Sequence, residues 1–224
     1  MKFSQIPIVI ALSLSLVSLM ACKPEDETAS ESENSVSLTD STKEPIQQAS
    51  ESKLVSAGYV ELDIPAEVVA QLQAEPMISK QLGIIYKHFE PKLDRSVDVA
   101  GPDYNNNHIR DDIEAFILAL EVEEPIRKAL LQDARFSQMS MEHEFNDSKK
   151  INEDIAYNIS LEYDRVLACY KYRDVEIEDI VGISRFMESI SYNTKLRTRK
   201  YLEYNHLLDG AISTLLVAGE EYCE

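Results

Sequence analysis

A short polar segment, residues 103–114, places oxygen-bearing side chains at regular intervals. Counted from its first aspartate, these groups fall at positions 1, 3, 5, 9 and 12. A hard divalent cation such as Ca²⁺ takes six to eight oxygen ligands, and alternate residues of a tight loop point toward a common centre. The spacing therefore predicts a calcium-binding loop. Its predicted ligands are Asp103, Asn105, Asn107, the carbonyl of Ile109, Asp111 and Glu114, with Asp112 as an alternative to Asp111.

A metal-free interpretation of the same residues is a helix cap. Asp111 and Glu114 have the spacing of a capping box at the start of an apolar helical pattern, and an Asn-rich turn can close without a metal. Because only three carboxylates contribute, a calcium site here is predicted to be weak, with a Kd on the order of 0.1 to 1 mM. Such an affinity suits a structural role better than signalling.

The segment resembles the calcium loops of EF-hands, dockerins and type 3 thrombospondin repeats, particularly the bacterial half-hand in which a loop leads into one helix. The resemblance is confined to residues 103–114, and two positions depart from the EF-hand pattern. His108 stands at position 6, where glycine usually takes a positive φ, and Arg110 replaces an aliphatic residue at position 8. Histidine tolerates the left-handed region, so we expect the turn to form. No helix is predicted before the loop, and pairing with a second hand is not expected.

The first 21 residues have the organisation of an export signal: Lys2, an apolar run and small residues before Cys22. The run is shorter than the roughly 20 residues that span a bilayer. The sequence Leu19-Met20-Ala21-Cys22 resembles the lipobox of bacterial lipoproteins. That resemblance implies cleavage before Cys22, acylation of this cysteine with chains such as palmitate, and attachment to a membrane. Lys23, where an inner-membrane signal would have aspartate, implies the outer membrane of a diderm bacterium. A chance cysteine after an ordinary signal is the alternative.

Residues 22–52 contain mostly Ser, Thr, Glu, Asn and Gln, with almost no large apolar side chain. Such a segment cannot bury enough surface to offset its ordering entropy. We predict a disordered acidic tether with a root-mean-square reach of roughly 30 Å. The predicted organisation is a signal peptide at 1–21, a lipidated tether at 22–52 and a helical domain at 53–224.

Within the predicted domain, apolar residues recur mainly with a helical period. A period-2 stretch at 58–64 predicts at most one short strand or extended segment, and helices follow from Pro65 and from Met77. Five more helical patterns follow the polar loop, the last running from Tyr201 to Leu216. Breaks are predicted near Pro125, 146–148, 173–174 and 192–193. The predicted fold class is mainly α, an irregular helical bundle.

Two cysteines, Cys169 and Cys223, are left once Cys22 is assigned to lipidation. An even pair in an oxidising compartment predicts a disulfide that ties the C-terminal tail to the body. The alternative is two separate thiols, one packed inside a helix and one at a frayed end.

The formal net charge of -18 argues against a nucleic-acid partner, because binding a phosphate backbone requires clustered Lys and Arg. A basic cluster at Lys195, Arg197, Arg199 and Lys200 offers a contact for an anionic partner, although such a run is more often an exposed helix face. We find no P-loop, G-x-S-x-G or HExxH motif, and no catalytic residue is assigned.

Two hypotheses of function follow. The favoured one is a non-enzymatic envelope lipoprotein that binds or scaffolds a protein partner, with calcium rigidifying the start of its bundle. The alternative is an envelope hydrolase whose catalytic residues meet only in three dimensions. A deep pocket with convergent His and carboxylate groups would favour the hydrolase. Its absence, with an apolar or basic surface near Lys195, would favour the binding module.

Overall fold

The computed structural model describes residues 51–145 and 149–224. The predicted signal peptide at 1–21, the lipidation site Cys22 and the tether up to residue 50 lie outside the described residues, as does the predicted break at 146–148. All described residues belong to one unit, Gln47–Glu224.

The mainly α fold class is confirmed, because helices account for most of the described chain. They are α1 (Ala66–Ala74), α2 (Ile78–Phe89), α3 (Asp111–Ala119), α4 (Glu124–Glu142), α5 (Lys149–Tyr172), α6 (Ile177–Ser191) and α7 (Lys195–Leu207). Short 3₁₀ turns follow at Glu90–Lys92 and Glu220–Tyr222. No helix in the described ranges combines the length and apolarity needed to cross a bilayer.

The chain enters this unit through a β-hairpin made of β1 (Lys53–Ala57) and β2 (Val60–Ile64), which pair antiparallel. The sequence predicts at most one strand, whereas the described residues contain two. The second, β1, is only five residues long and becomes a strand by pairing with β2. Val55, Leu62 and Ile64 are buried on one face of the hairpin. This face packs against α3, so the hairpin closes one side of the core.

Helix α3 lies at the centre of the core, in contact with the hairpin, α2 and α4. Phe116, Ile117 and Leu120 are fully buried, and every residue from Asp111 to Ile117 is buried. A helix that is enclosed on all sides needs apolar residues around most of its circumference, and the Ile-Glu-Ala-Phe-Ile-Leu-Ala run supplies them. The polar loop at 103–110 leads directly into this helix, so the end of the loop is fixed by a fully enclosed element.

The last helix is shorter than predicted. The apolar pattern suggested a helix to Leu216, but α7 ends at Leu207 and residues 211–219 are not helical. Gly210 follows the end of α7 with a φ of 81°, a left-handed conformation that commonly ends helices. Residues 208–219, which we call the C-terminal strap, therefore leave the helix axis. Ile212 and Val217 of the strap are 87% and 85% exposed.

The predicted disulfide is confirmed. Cys169 on α5 and Cys223 are bonded, with an S–S distance of 2.05 Å and their Cα atoms 5.0 Å apart. Polar contacts reinforce the attachment, because the Gln132 side chain donates to the Tyr222 carbonyl at 2.9 Å and Tyr172 donates to Glu220 at 3.2 Å. The strap is thus held at one end by α7 and at the other by the disulfide.

Replacing Cys223 with serine should lower the free energy of unfolding by about 2 to 4 kcal/mol, because the unfolded chain gains the freedom of a long loop. Urea denaturation followed by circular dichroism measures this. Reductant should lower the stability of the wild-type protein by the same amount and leave the variant unchanged. A loss under about 0.5 kcal/mol, the usual range for surface substitutions, would contradict the prediction.

A candidate calcium loop at the start of α3

The loop begins where the irregular segment after α2 turns toward the core. The Asp111 N–H donates to the Pro102 carbonyl at 2.9 Å, which closes the base of the loop. Ile109 and Ile113 are each 1% exposed and fix the exit of the loop in the core. The ends of the segment are thus positioned by backbone pairing and by apolar burial, as a preformed ligand site requires.

Inside the loop, the carboxylate of Asp103 and the amides of the asparagines organise the backbone. Asp103 accepts hydrogen bonds from the N–H of Asn107 at 3.1 Å and of His108 at 2.9 Å. Asn105 accepts from the Asn107 N–H at 3.1 Å, and Asn107 accepts from the Ile109 N–H at 2.9 Å. The Asn105 and Asn107 bonds are two successive Asx turns, and the longer-range bonds of Asp103 close the chain around them.

His108 adopts the left-handed conformation expected at position 6, with a φ of 62°. Asn106 is also left-handed, with a φ of 55°. The histidine at this position therefore does not prevent the EF-hand-like turn. It costs roughly 1 kcal/mol relative to glycine, because a Cβ crowds the backbone in this region.

The side chains at positions 3, 5 and 12 converge. The amide of Asn105 donates to one oxygen of Glu114 at 3.0 Å, and the amide of Asn107 donates to the other at 2.7 Å. Glu114 is only 8% exposed. Burial raises the pKa of Glu114; the hydrogen bonds from Asn107 and Asn105 oppose this shift, and the charges of Asp111 and Asp103 add to it.

No Lys, Arg or His forms an ion pair with the carboxylates at positions 1, 9 and 12, as far as the described residues show. Asp103, Asp111 and Glu114 thus lack a directly paired protein cation, although the charge of Arg135 acts on Glu114 at longer range. In such a field a bound divalent cation would relieve repulsion as well as supply coordination.

The side chain of Asp111 contacts the hairpin turn and does not join Asn105 and Asn107 at Glu114. It is fully buried and accepts from the Tyr104 N–H at 3.2 Å. A Cβ on Gly58, in the hairpin turn, would lie 2.0 Å from an Asp111 oxygen. Burial raises the pKa of Asp111, against the backbone hydrogen bonds from Tyr104 and Tyr59. Asp111 therefore joins the loop to the hairpin, and its charge repels that of Glu114.

Asp112 is not free to replace Asp111, because it is paired with Arg110. The two side chains are fully buried and bond twice, at 2.6 and 3.0 Å. Arg110 also donates to the carbonyls of Ile190 at 2.8 Å and Ser191 at 3.2 Å, at the end of α6. The arginine that departs from the EF-hand pattern at position 8 thus connects the loop to a distant helix.

The capping-box alternative is not formed. Arg110 is the N-cap of α3 and makes no side-chain cap hydrogen bond. Glu114 contacts the asparagine amides instead of a backbone N–H of the first turn. The Ile113 N–H is met by the neighbouring Asp112 at 2.9 Å. The backbone N–H groups of Asp111 and Ile113 therefore have acceptors other than Glu114.

The carboxylates of the loop are too few to hold a calcium ion by themselves, so amide and carbonyl oxygens must contribute. Across residues 51–145 and 149–224, no three side chains of His, Cys, Asp and Glu are gathered so as to hold a metal on their own. A calcium ion here would need the amide oxygens of Asn105 and Asn107 and the Ile109 carbonyl besides Asp103 and Glu114. Each amide oxygen uses one lone pair for a backbone N–H and keeps a second.

The basic cluster predicted at residues 195–200 is not a single exposed patch. Arg197 is fully buried and donates to the side chain and carbonyl of Asp94, among other acceptors. Burial raises the pKa of Asp94, but hydrogen bonds from Arg197 and Ser96 outweigh it and hold this pKa below its usual value. Lys200 pairs loosely with Glu144 and Glu203.

The sequence draws attention to Arg110 at loop position 8 and to Arg197 in the basic cluster, but it does not show that both are buried. Their burial depends on acceptors that lie 80 to 103 residues away along the chain. Comparison with protein-family models, curated proteins and solved structures finds no match to this chain.

Proposed function

We propose that this chain is an envelope lipoprotein whose folded body is stabilised by calcium at residues 103–114 and acts as a non-enzymatic binding or scaffolding module for a protein partner. The calcium part rests on Asn105, Asn107 and Glu114 meeting beneath a turn that Asp103 holds together. The amide N–H groups donate to Glu114, so the cation ligands would be the amide oxygens, each of which keeps one lone pair. The envelope part rests on the lipobox resemblance at Cys22.

Calcium would act on three elements at once. The loop leads into α3, its Asp111 contacts the hairpin turn, and its Arg110 reaches the end of α6. With a Kd of 0.1 to 1 mM, about 1 mM calcium would stabilise the fold by roughly 0.4 to 1.4 kcal/mol. This gain in folding stability suits a structural role for calcium better than a role as a conformational switch.

The lipid anchor agrees with the chemistry of the folded body. The Cys169–Cys223 disulfide is typical of proteins that fold in an oxidising compartment, such as the space outside the cytoplasmic membrane. Two or more acyl chains on Cys22 would hold the protein stably at a membrane. The predicted tether would then separate the domain from the lipid surface.

The cavity between the four longest C-terminal helices gives the hydrolase hypothesis no specific support. The cavity between α4, α5, α6 and α7 contains the carboxylates of Asp133, Asp164 and Glu188, but no histidine is among its described lining residues. The convergence of histidine and carboxylate that would favour a hydrolase is not seen there. No catalytic residue is assigned.

Thermal melting tests the calcium proposal. For the mature chain carrying Cys22→Ser, 10 mM calcium should raise the Tm by roughly 3 to 10 °C relative to chelator. Asp103→Asn should remove most of this increase, because it lowers the negative charge of the loop while keeping the size of the side chain.

Asp98→Asn is the matched control, since Asp98 is an exposed carboxylate just outside the loop. It should leave the calcium-dependent increase in Tm intact. Equal melting of the Cys22→Ser chain in calcium and in chelator, or an equal calcium response in Asp103→Asn, would contradict the proposal.

A further inference from the structure

A cavity of about 200 Å³ lies between α4, α5, α6 and α7, away from the calcium loop. It has room for a small organic molecule but not for a drug-sized ligand. Ser213 of the C-terminal strap contributes to its lining and contacts Asp164. None of the residues from 103 to 114 is in its lining.

Aromatic rings form much of the cavity wall. Tyr192 and Tyr201 stack with their ring centres 4.1 Å apart. Phe136 stacks on Tyr163 at 4.9 Å, and Tyr204 meets Phe136 edge to face at 6.5 Å. The face of an aromatic ring carries partial negative charge and attracts cations, including quaternary ammonium groups. The wall therefore favours a positively charged ligand with an apolar surface.

A buried carboxylate without a counter-charge also faces this cavity. Asp133 lines it and is 2% exposed. The hydroxyl of Tyr170 donates to it at 3.0 Å, and no Lys, Arg or His in the described ranges forms an ion pair with it. Burial raises the pKa of Asp133 to about 7, the hydrogen bond from Tyr170 opposes this, and the charge of Glu188 adds to it.

The remaining charged groups of the lining have the same sign. Asp164 on α5 and Glu188 on α6 are carboxylates, and the described lining includes no Lys, Arg or His. Of the tyrosines nearby, Tyr170 donates to Asp133 and Tyr163 interacts with its charge. Tyr192, Tyr201 and Tyr204 line the same cavity as Asp133. An anion would be repelled here, and a buried carboxylate without a counter-charge is costly when it is ionised.

We propose that this cavity binds a small organic cation, an amine or a quaternary ammonium ion, between the tyrosine faces and the carboxylate of Asp133. The cation would supply the counter-charge that the protein lacks at this position. Its apolar surface would pack on Tyr192, Tyr201 and Phe136. The site is independent of calcium binding at residues 103–114.

Isothermal titration tests this with choline and with 3,3-dimethylbutan-1-ol, its neutral carbon isostere. The protein is the full mature chain in a non-ionic detergent, at pH 8. We expect choline to bind with a measurable Kd below about 10 mM and the neutral isostere to bind at least about tenfold more weakly, because only the cation gains from the carboxylate and the ring faces. Choline affinity should rise several-fold from pH 6 to pH 8, as Asp133 loses its proton.

Two variants separate the site from general surface charge. Asp133→Asn should weaken choline binding about tenfold at pH 8 and remove its pH dependence, and Tyr201→Leu should weaken it severalfold. Asp63→Asn, an exposed carboxylate on β2, is the matched control and should have no effect. Near-ultraviolet circular dichroism of the tyrosines confirms that each variant is folded.

The proposal is overturned if 20 mM choline gives no binding heat at pH 8, or if the neutral isostere binds as tightly as choline. It is equally overturned if folded Asp133→Asn binds choline like the wild-type protein. None of these outcomes depends on whether calcium occupies the loop at 103–114, so the two proposals fail separately.

Discussion

Replacing Asp112 with alanine is expected to lower the free energy of unfolding by about 3 to 5 kcal/mol. The substitution leaves the guanidinium of Arg110, which is fully buried, without its carboxylate. It also removes an acceptor for the backbone N–H of Asp94 and of Ile113. Urea denaturation monitored by circular dichroism gives the loss directly.

A double variant separates the unpaired charge from the loss of packing. Arg110→Met combined with Asp112→Leu removes both charges, so it should cost less than Asp112→Ala alone, because replacing a whole buried pair by apolar groups is often close to neutral. A loss of unfolding free energy below about 1 kcal/mol in Asp112→Ala would contradict the burial of Arg110 beside Asp112.

The second large expected effect is a change in where the protein is found in the cell when Cys22 is replaced. Cys22→Ser should move the protein from the membrane fraction to the soluble fraction, because acyl chains at this residue are the proposed anchor and each buried methylene contributes about 0.8 kcal/mol. Cell fractionation with a high-salt wash measures the distribution, and labelling with a radioactive fatty acid tests acylation directly.

Cys223→Ser is the matched cysteine control for this experiment. It should stay in the membrane fraction and incorporate the fatty acid label, since Cys223 lies at the other end of the chain and forms the disulfide. Membrane retention of Cys22→Ser after the salt wash would contradict the lipid anchor and point to a protein or electrostatic attachment.

The helical order of the described residues could be predicted because most helices show their buried face as a regular apolar period. Where the prediction of the fold differs from the structure, the cause is a contact that periodicity does not encode. The apolar spacing continues past the end of α7 to Leu216, yet Gly210 and the disulfide at Cys223 direct the strap elsewhere. Strand β1 exists because it pairs with β2, which its own five residues do not reveal.

The features of the loop that depend only on the spacing of neighbouring residues could be predicted. Position 6 is left-handed as expected, and positions 3 and 5 meet position 12. The roles of Arg110 and Asp112 could not be predicted, because they depend on carbonyls of α6 some 80 residues away along the chain. The cavity that several tyrosines form with Asp133 could not be predicted either, because it follows only from how α4 to α7 pack.

Calorimetric titration of calcium into the mature chain carrying Cys22→Ser tests the central claim most directly. We predict one binding site with a Kd on the order of 0.1 to 1 mM, lost or greatly weakened in Glu114→Gln and retained in Asp98→Asn. The absence of saturable binding up to 10 mM calcium, or unchanged binding in Glu114→Gln, would contradict it.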